Sequence, residues 1–300
     1  MRIGALEAGG TKMVLAVADE NGNIYERTQL PTGAADETLV QVAAWFKERE
    51  VEALGIGCFG PLDLDPASPS YGHITTTPKA AWRHCDIVGQ LGRALAGADA
   101  AAFPIGFDTD VNASCLGEAT WGSTRDVDAS IYITVGTGIG VGAMIAGQML
   151  HGLSHPEAGH ILIGRATGDD FAGVCPYHHG TTFCLEGMAA GPAIEARWGQ
   201  KAEALYERYE VWELEAHYLA AALVNYILCL SPKRIVLGGG VMKQELLFPL
   251  VREKTALLLG GYLPLPDLEG YIVPPALGDD QGILGCVKLA LLAAKAQPVI

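Results

Sequence analysis

Two stretches of this chain repeat one pattern: an apolar run, a glycine-rich turn, and a second apolar run. The first spans residues 3–18 around Ala8-Gly9-Gly10-Thr11-Lys12, and the second spans 129–146 around Gly136-Thr137-Gly138-Ile139-Gly140-Val141-Gly142. Apolar, β-branched residues flanking turn residues predict strand–turn–strand hairpins. One such hairpin in each half of a 300-residue chain predicts two similar α/β lobes. A turn of this kind can aim backbone N–H groups at a phosphate, although a plain hairpin uses the same residues. Neither turn is a Walker A loop, which opens a helix with Gly-Lys-Ser/Thr. The second also departs from Gly-x-Gly-x-x-Gly and leads into a strand, which argues against a dinucleotide fold.

The remaining pattern supports an α/β chain. Strands are expected at 3–7, 13–18 and 24–30, the last two joined by a turn containing Asn21-Gly22. Leu39, Val42, Ala43 and Phe46 have helical spacing within 36–49, and 53–58 reads as a buried strand ending at Phe59-Gly60-Pro61. Residues 62–84 are rich in turn residues, yet Tyr71, Trp82 and a Thr run argue for an ordered functional loop. After a helix at 86–95, a strand at 104–108 delivers Asp108-Thr109-Asp110-Val111-Asn112 to a helix reaching Trp121. Open α/β sheets bind ligands at such strand ends, and an Asp there also suits an N-cap. Residues 211–230 read as a core helix. The strand at 235 ends in Gly238-Gly239-Gly240 before a helix expected at 244–258. That glycine turn suits a phosphate or ribose edge, and equally a close-packed turn. Asp279-Asp280 are expected to cap a last helix through 295.

Composition narrows the function. A net charge of −14 argues against nucleic-acid and anionic-membrane partners. The N-terminus lacks a signal-peptide pattern and no eighteen-residue apolar stretch occurs, so a cytoplasmic protein is expected. Cys58, Cys115, Cys229 and Cys286 lie in apolar runs and read as buried thiols. The other chemistry is concentrated: five of the eight histidines fall between 151 and 179, with Cys175 and Cys184 beside them. Cys and His crowded in this way read as a zinc site, flanked here by Glu157 and Glu186. His73, His84 and His217 read as surface or satisfied loop residues, and His151 and His155 either as extra pocket residues or simply as loop neighbours of the cluster.

Several motifs in order then carry a resemblance over nearly the whole chain: Glu7-Ala-Gly-Gly-Thr-Lys12, the Asp110 segment, Thr134-Val-Gly-Thr-Gly-Ile-Gly140, Glu157-Ala-Gly-His160, Cys184-Leu-Glu186 and Leu237-Gly-Gly-Gly-Val241. The chain resembles the ROK family of sugar kinases and repressors. It is most similar to the fructokinase branch through Phe59-Gly60-Pro61, Tyr71-Gly72, Thr77-Pro78-Lys79, Asp108–Asn112 and Cys175-Pro-Tyr-His178. The resemblance implies a two-lobed actin/hexokinase/Hsp70-like (ribonuclease H-like) fold with its ligand cleft between lobes. It implies a smaller lobe of 1–116 completed by helix 280–297, and a larger lobe of 117–279. Asp110 would be the general base. Gly60, Pro61, Thr77, Thr109, Glu157, His160 and Glu186 would bind the sugar. Gly9, Gly10, Thr11, Lys12, Gly136, Thr137 and Gly138 would hold ATP phosphates, with Pro192, Gly239 and Gly240 beside adenosine. Mg²⁺ would accompany ATP. A structural Zn²⁺ would sit on His160, Cys175, His178 and Cys184; His179 also fits, and His178 is preferred because it keeps Cys-x-x-His. Thr109, where most of the family has Asn, favours fructose over glucose.

The implied activity is ATP-dependent phosphorylation of a hexose, D-fructose first, by a homodimer. Mannokinase, glucokinase or a broad hexose kinase is the alternative on the same scaffold. A sugar-sensing regulator would need a helix-turn-helix for which Met1 stands too close to Gly9.

Overall fold

Strand β1 (Ile3–Ala8) turns back into β2 (Lys12–Ala18), and both strands send apolar side chains to both faces. Leu6, Ala8, Met13, Leu15 and Val17 enter one core, whereas Ile3, Ala5, Val14, Ala16 and Ala18 enter another. A sheet buried on both sides needs covering layers on both sides. In the computed structural model, which describes residues 1–96, 103–178 and 182–296, the chain divides into two compact units. The first comprises Met1–Arg125, Met149–His155 and Ala276–Ile300, and the second Asp126–Gln148 and Pro156–Pro275. The first unit thus runs past residue 116 and takes in residues 149–155.

Its sheet has the order β3-β2-β1-β4-β5, with β3 at Ile24–Pro31, β4 at Ala53–Cys58 and β5 at Ile105–Thr109. β1 pairs antiparallel with β2 and parallel with β4, which pairs parallel with β5. Helices α1 (Ala35–Lys47) and α2 (Ile87–Ala96) carry Leu39, Val42, Phe46 and Leu91 into one core. The opposite core is covered by α3 (Asp110–Trp121) and α9 (Gln281–Ala296). There β4 presents Gly55, where a Cβ would fall 1.7 Å from the Cys286 carbonyl oxygen. Only glycine lets α9 lie so close to the sheet. Residues 62–84 are ordered by bridges Leu62–Ile74 and His73–Asp86, and by the buried Trp82, whose Nε1 donates to the Gly33 carbonyl.

The second unit repeats this topology. Its sheet runs β10-β9-β6-β7-β8, with β6 at Ser130–Val135, β7 at Ile139–Ile145, β8 at Gln148–Met149, β9 at Arg234–Gly238 and β10 at Ile272–Val273. β6 pairs antiparallel with β7 and parallel with β9, as β1 does with β2 and β4. Helices α4 (Leu185–Ala189), α5 (Gly191–Trp198), α6 (Tyr209–Leu230) and α7 (Leu247–Leu259) follow, with a one-turn α8 at Leu268–Tyr271. A 3₁₀ turn, Val241–Lys243, separates Gly240 from α7, so the triple glycine does not itself open the α-helix expected at 244. Cys229 is exposed rather than buried, because it falls on the outer side of the last turns of α6. His217 likewise lies within α6 rather than in a loop, edge-on to Tyr218. No described helix is long and apolar enough to cross a membrane.

Glu215, on α6, is fully enclosed with neither carboxylate oxygen hydrogen-bonded. Burial pushes its carboxyl well above the usual carboxylate range, against a weaker opposing pull from Arg197. Its folded pKa is raised, so its relative contribution to stability is fully present below the unfolded value near 4.3. That contribution is lost as pH rises toward the folded value. Glu215→Gln or Glu215→Met is therefore expected to stabilise the fold by about 1–3 kcal/mol near neutral pH. Urea unfolding at pH 5 and pH 8 checks it: the gain over the parent must grow with pH, and a constant or shrinking difference rejects the assignment.

Candidate active site and metal centre

In the first unit the β1–β2 turn is closed by Gly9 N–H donating to the Lys12 carbonyl at 3.0 Å. The Thr32 hydroxyl donates to the Gly9 carbonyl at 2.8 Å, and the Thr32 N–H to the Thr11 carbonyl. Thr11 and Lys12 are exposed at the tip. The side chain of Lys79 lies across this turn: a Cβ on Gly10 would fall 2.9 Å from its Cε. Only the fold of the 62–84 loop brings Lys79 there. Glu7, the penultimate residue of β1, has its carboxyl raised by burial, a shift opposed by Arg27 and Lys12. Its signal in the sequence was an acid inside an otherwise apolar strand.

Asp110 opens α3 directly after β5, which places it at the C-terminal end of a parallel strand. Neither Asp108 nor Asp110 is the N-cap. Thr109 takes that role, its hydroxyl accepting the Asn112 N–H at 3.1 Å. Asp110 Oδ1 accepts the N–H of Val111 at 2.9 Å. Gly60 and Pro61 follow β4 with a cis peptide between them, and the Pro61 carbonyl accepts both the N–H and the hydroxyl of Thr75. Thr77 is buried, with its carbonyl accepting Arg83 Nε at 2.8 Å.

In the second unit Gly136, Thr137, Pro192 and Gly240 come together in the lining of one cavity of about 680 Å³. Gly191 N–H donates to the Gly136 carbonyl at 2.8 Å, which joins the start of α5 to the β6–β7 turn. Gly239 has φ +92°, and a Cβ there would fall 2.4 Å from the Val135 carbonyl oxygen, so glycine is required. Lys201, Tyr206, Trp212, Lys243 and Gln244 also line this cavity. No motif marks them in the sequence, because they come from separate segments.

Four residues of the Cys/His cluster come together in the second unit. His160, Cys175, His178 and Cys184 offer ligand atoms that all lie within 4.8 Å of one another. His160 Nδ1 is 3.8 Å from Cys175 Sγ and 3.6 Å from Cys184 Sγ, and His178 Nδ1 is 3.6 Å from Cys175 Sγ. Tetrahedral zinc with ordinary Zn–S and Zn–N bonds requires S···N edges of ~3.6 Å. Burial pushes the Cys184 thiol up to about 11, so a thiolate there needs a cation beside it. The donor set fits zinc; His179 lies outside the described residues. His160 Nε2, on the far side of the ring, is 3.7 Å from Glu186 Oε1, while Glu186 Oε2 accepts the Ile139 N–H at 2.9 Å. Glu186 therefore joins the cluster to the glycine-rich hairpin. The connecting loop is anchored by the buried pair Arg197–Asp169 and by Tyr218, whose hydroxyl donates to Asp169. Glu157 is exposed, its carbonyl accepting the His160 N–H at 2.9 Å.

The ROK family model matches residues 3–293. The chain belongs to the ROK family. It is 43% identical over 295 residues to a fructokinase of Pediococcus pentosaceus, covering 98% of this chain and 99% of that one. To a fructokinase of Streptococcus mutans it is 43% identical over 293 residues, covering 96% of each. Among solved structures, the ROK hexokinase from Thermus thermophilus superposes with a TM-score of 0.77 at 26% identity, covering 99% of this chain and all of that one. The doubled sheet topology is thus the ROK kinase fold.

Proposed function

We propose that this ROK-family protein is an ATP-dependent fructokinase, producing fructose 6-phosphate and ADP. The observation that carries the reading is 43% identity to fructokinases over almost the whole chain. Asp110 accepts the proton of the attacking hydroxyl as its oxygen bonds to the γ-phosphorus. The bond from that phosphorus to the bridging oxygen breaks, and ADP leaves with the electron pair. Support for this role comes from the position of Asp110 at a strand end opening a helix, with its carboxylate held by the Val111 N–H. Gly60, Pro61, Thr77, Thr109, Glu157, His160 and Glu186 bind the sugar. Gly9, Gly10, Thr11, Lys12, Gly136, Thr137 and Gly138 hold phosphates, and Pro192, Gly239 and Gly240 border adenosine. Mg²⁺ arriving with the nucleotide supplies charge neutralisation at the phosphate oxygens. His160, Cys175, His178 and Cys184 hold a structural zinc, which leaves His160 Nε2 in a fixed direction. The active species is a cytoplasmic homodimer.

The test is ADP release with MgATP against fructose, mannose, glucose and N-acetylmannosamine. A kcat/KM for fructose at least about tenfold above the others is expected, since differences of ~1–3 kcal/mol in pocket contacts are typical. A preference for another hexose overturns the substrate, and turnover of none overturns the kinase.

A further inference from the structure

Residues Met149–His155 pack in the first unit, although Gln148 and Pro156 on either side belong to the second. Two histidines four positions apart anchor the segment. His155 is buried, and its Nε2 accepts the Leu62 N–H at 3.0 Å, next to Gly60–Pro61. His151 brings Nε2 to 3.0 Å from Asp108 Oδ2. Asp108 is only 3% exposed, and its other oxygen accepts the Thr109 N–H at 2.8 Å and Asn112 Nδ2 at 2.7 Å.

A carboxylate only accepts hydrogen bonds, so the shared proton is on His151 Nε2. The Asp108 carboxylate therefore grips residues on both sides of Asp110 in the chain. Thr109 and Asn112 are also bonded to each other, through the Thr109 hydroxyl and the Asn112 N–H. Asp108 and Thr109 together hold the backbone and side chain of Asn112, and His151 reaches Asp108 from outside the turn, with its Nε2 also 3.4 Å from Asn112 Nδ2. A buried carboxylate deprived of such a donor must shift to find another. The His151 side chain also lines a cavity of about 480 Å³ together with Pro61, Leu62 and Thr75. The segment thus holds the Asp110 turn and borders the Gly60–Pro61 turn at once.

We propose that His151 and Asp108 are positioning residues for Asp110: the imidazole holds the Asp108 carboxylate, which holds the Thr109 amide and Asn112 carboxamide that set the turn carrying Asp110. The proposal rests on Asp110 being the general base. Neither residue needs to touch the sugar. Movement of the turn by about 1 Å would be enough to slow phosphoryl transfer up to ~100-fold.

The experiment compares His151→Phe, His151→Gln and Asp110→Asn in steady-state kinetics with saturating MgATP and varied fructose. His151→Phe is expected to lower kcat about 10- to 100-fold, with the fructose KM within about threefold of the parent. His151→Gln keeps an N–H donor for Asp108 and is expected to recover most of the loss. If Asp110→Asn turns over normally, the base assignment fails. If Asp110→Asn is inactive while His151→Phe keeps the parental kcat, or if Gln is as impaired as Phe, the positioning role fails and the base assignment stands. Should the Phe variant not fold, Asp108→Asn carries the same expectation, and a parental kcat there overturns the proposal equally.

Discussion

Asp110→Asn is expected to lower kcat by about 10²–10⁴-fold, the usual contribution of a positioned general base. The substitution is nearly isosteric, and the Asn side-chain oxygen can still accept the Val111 N–H that Asp110 Oδ1 accepts at 2.9 Å. The turn opening α3 should therefore survive, since its cap is Thr109 and not Asp110. What disappears is the capacity to take a proton from the attacking hydroxyl. MgATP affinity measured by calorimetry should stay within a factor of about two, because the β1–β2 and β6–β7 turns are untouched. A variant with near-parental turnover would remove Asp110 from the mechanism, and a large loss of MgATP affinity would point to a binding role instead.

Loss of the proposed zinc is expected to have the second large effect, this time on stability. Cys175→Ser and Cys184→Ala each delete one of four ligands whose spacing matches a tetrahedral site. Zinc per chain, measured by atomic emission, should fall from about one to near zero, with a Tm loss of roughly 5–15 °C for a several-kcal/mol metal site. Cys184 also accepts the Gly187 N–H and caps α4, so its substitution alone could cost stability without any metal. A strong chelator separates the two causes. It should lower the Tm of the parent by a similar amount and leave the Cys175→Ser variant unchanged. Equal chelator effects on both, or no zinc in the parent, would refute the site. Because His160 Nε2 lies 3.7 Å from Glu186, which also accepts the Ile139 N–H, metal loss should raise the fructose KM as well.

Much of the architecture was legible along the chain. β4 (Ala53–Cys58) is a run of apolar residues and glycine buried throughout, which is how a doubly covered strand reads, and both it and β6 (Ser130–Val135) emerged where expected. The Asn21-Gly22 turn joins β2 to β3 because Gly22 adopts φ +84° at little cost. The Cys/His cluster was legible because its four members lie within 25 residues, from His160 to Cys184. Capping was harder to read. An Asp was the expected N-cap, yet the side chain that accepts the Asn112 N–H is that of Thr109, between Asp108 and Asp110. The end of β9 misled in the same way, since a 3₁₀ turn rather than an α-helix follows Gly240.

Local pattern alone determined the two hairpin units, the strand that leads into Asp110 and the concentration of Cys and His between 151 and 184. These depend on residue type and short spacing, which the chain carries wherever it folds. Tertiary structure alone decided that His151 reaches Asp108 and that Lys79 lies over Gly10. It also decided that Lys201, Tyr206, Trp212, Lys243 and Gln244 share a cavity with Gly136. Those pairings join residues far apart in the chain through packing of whole elements. No local propensity encodes a distance that arises only when the sheets and helices close around their cores.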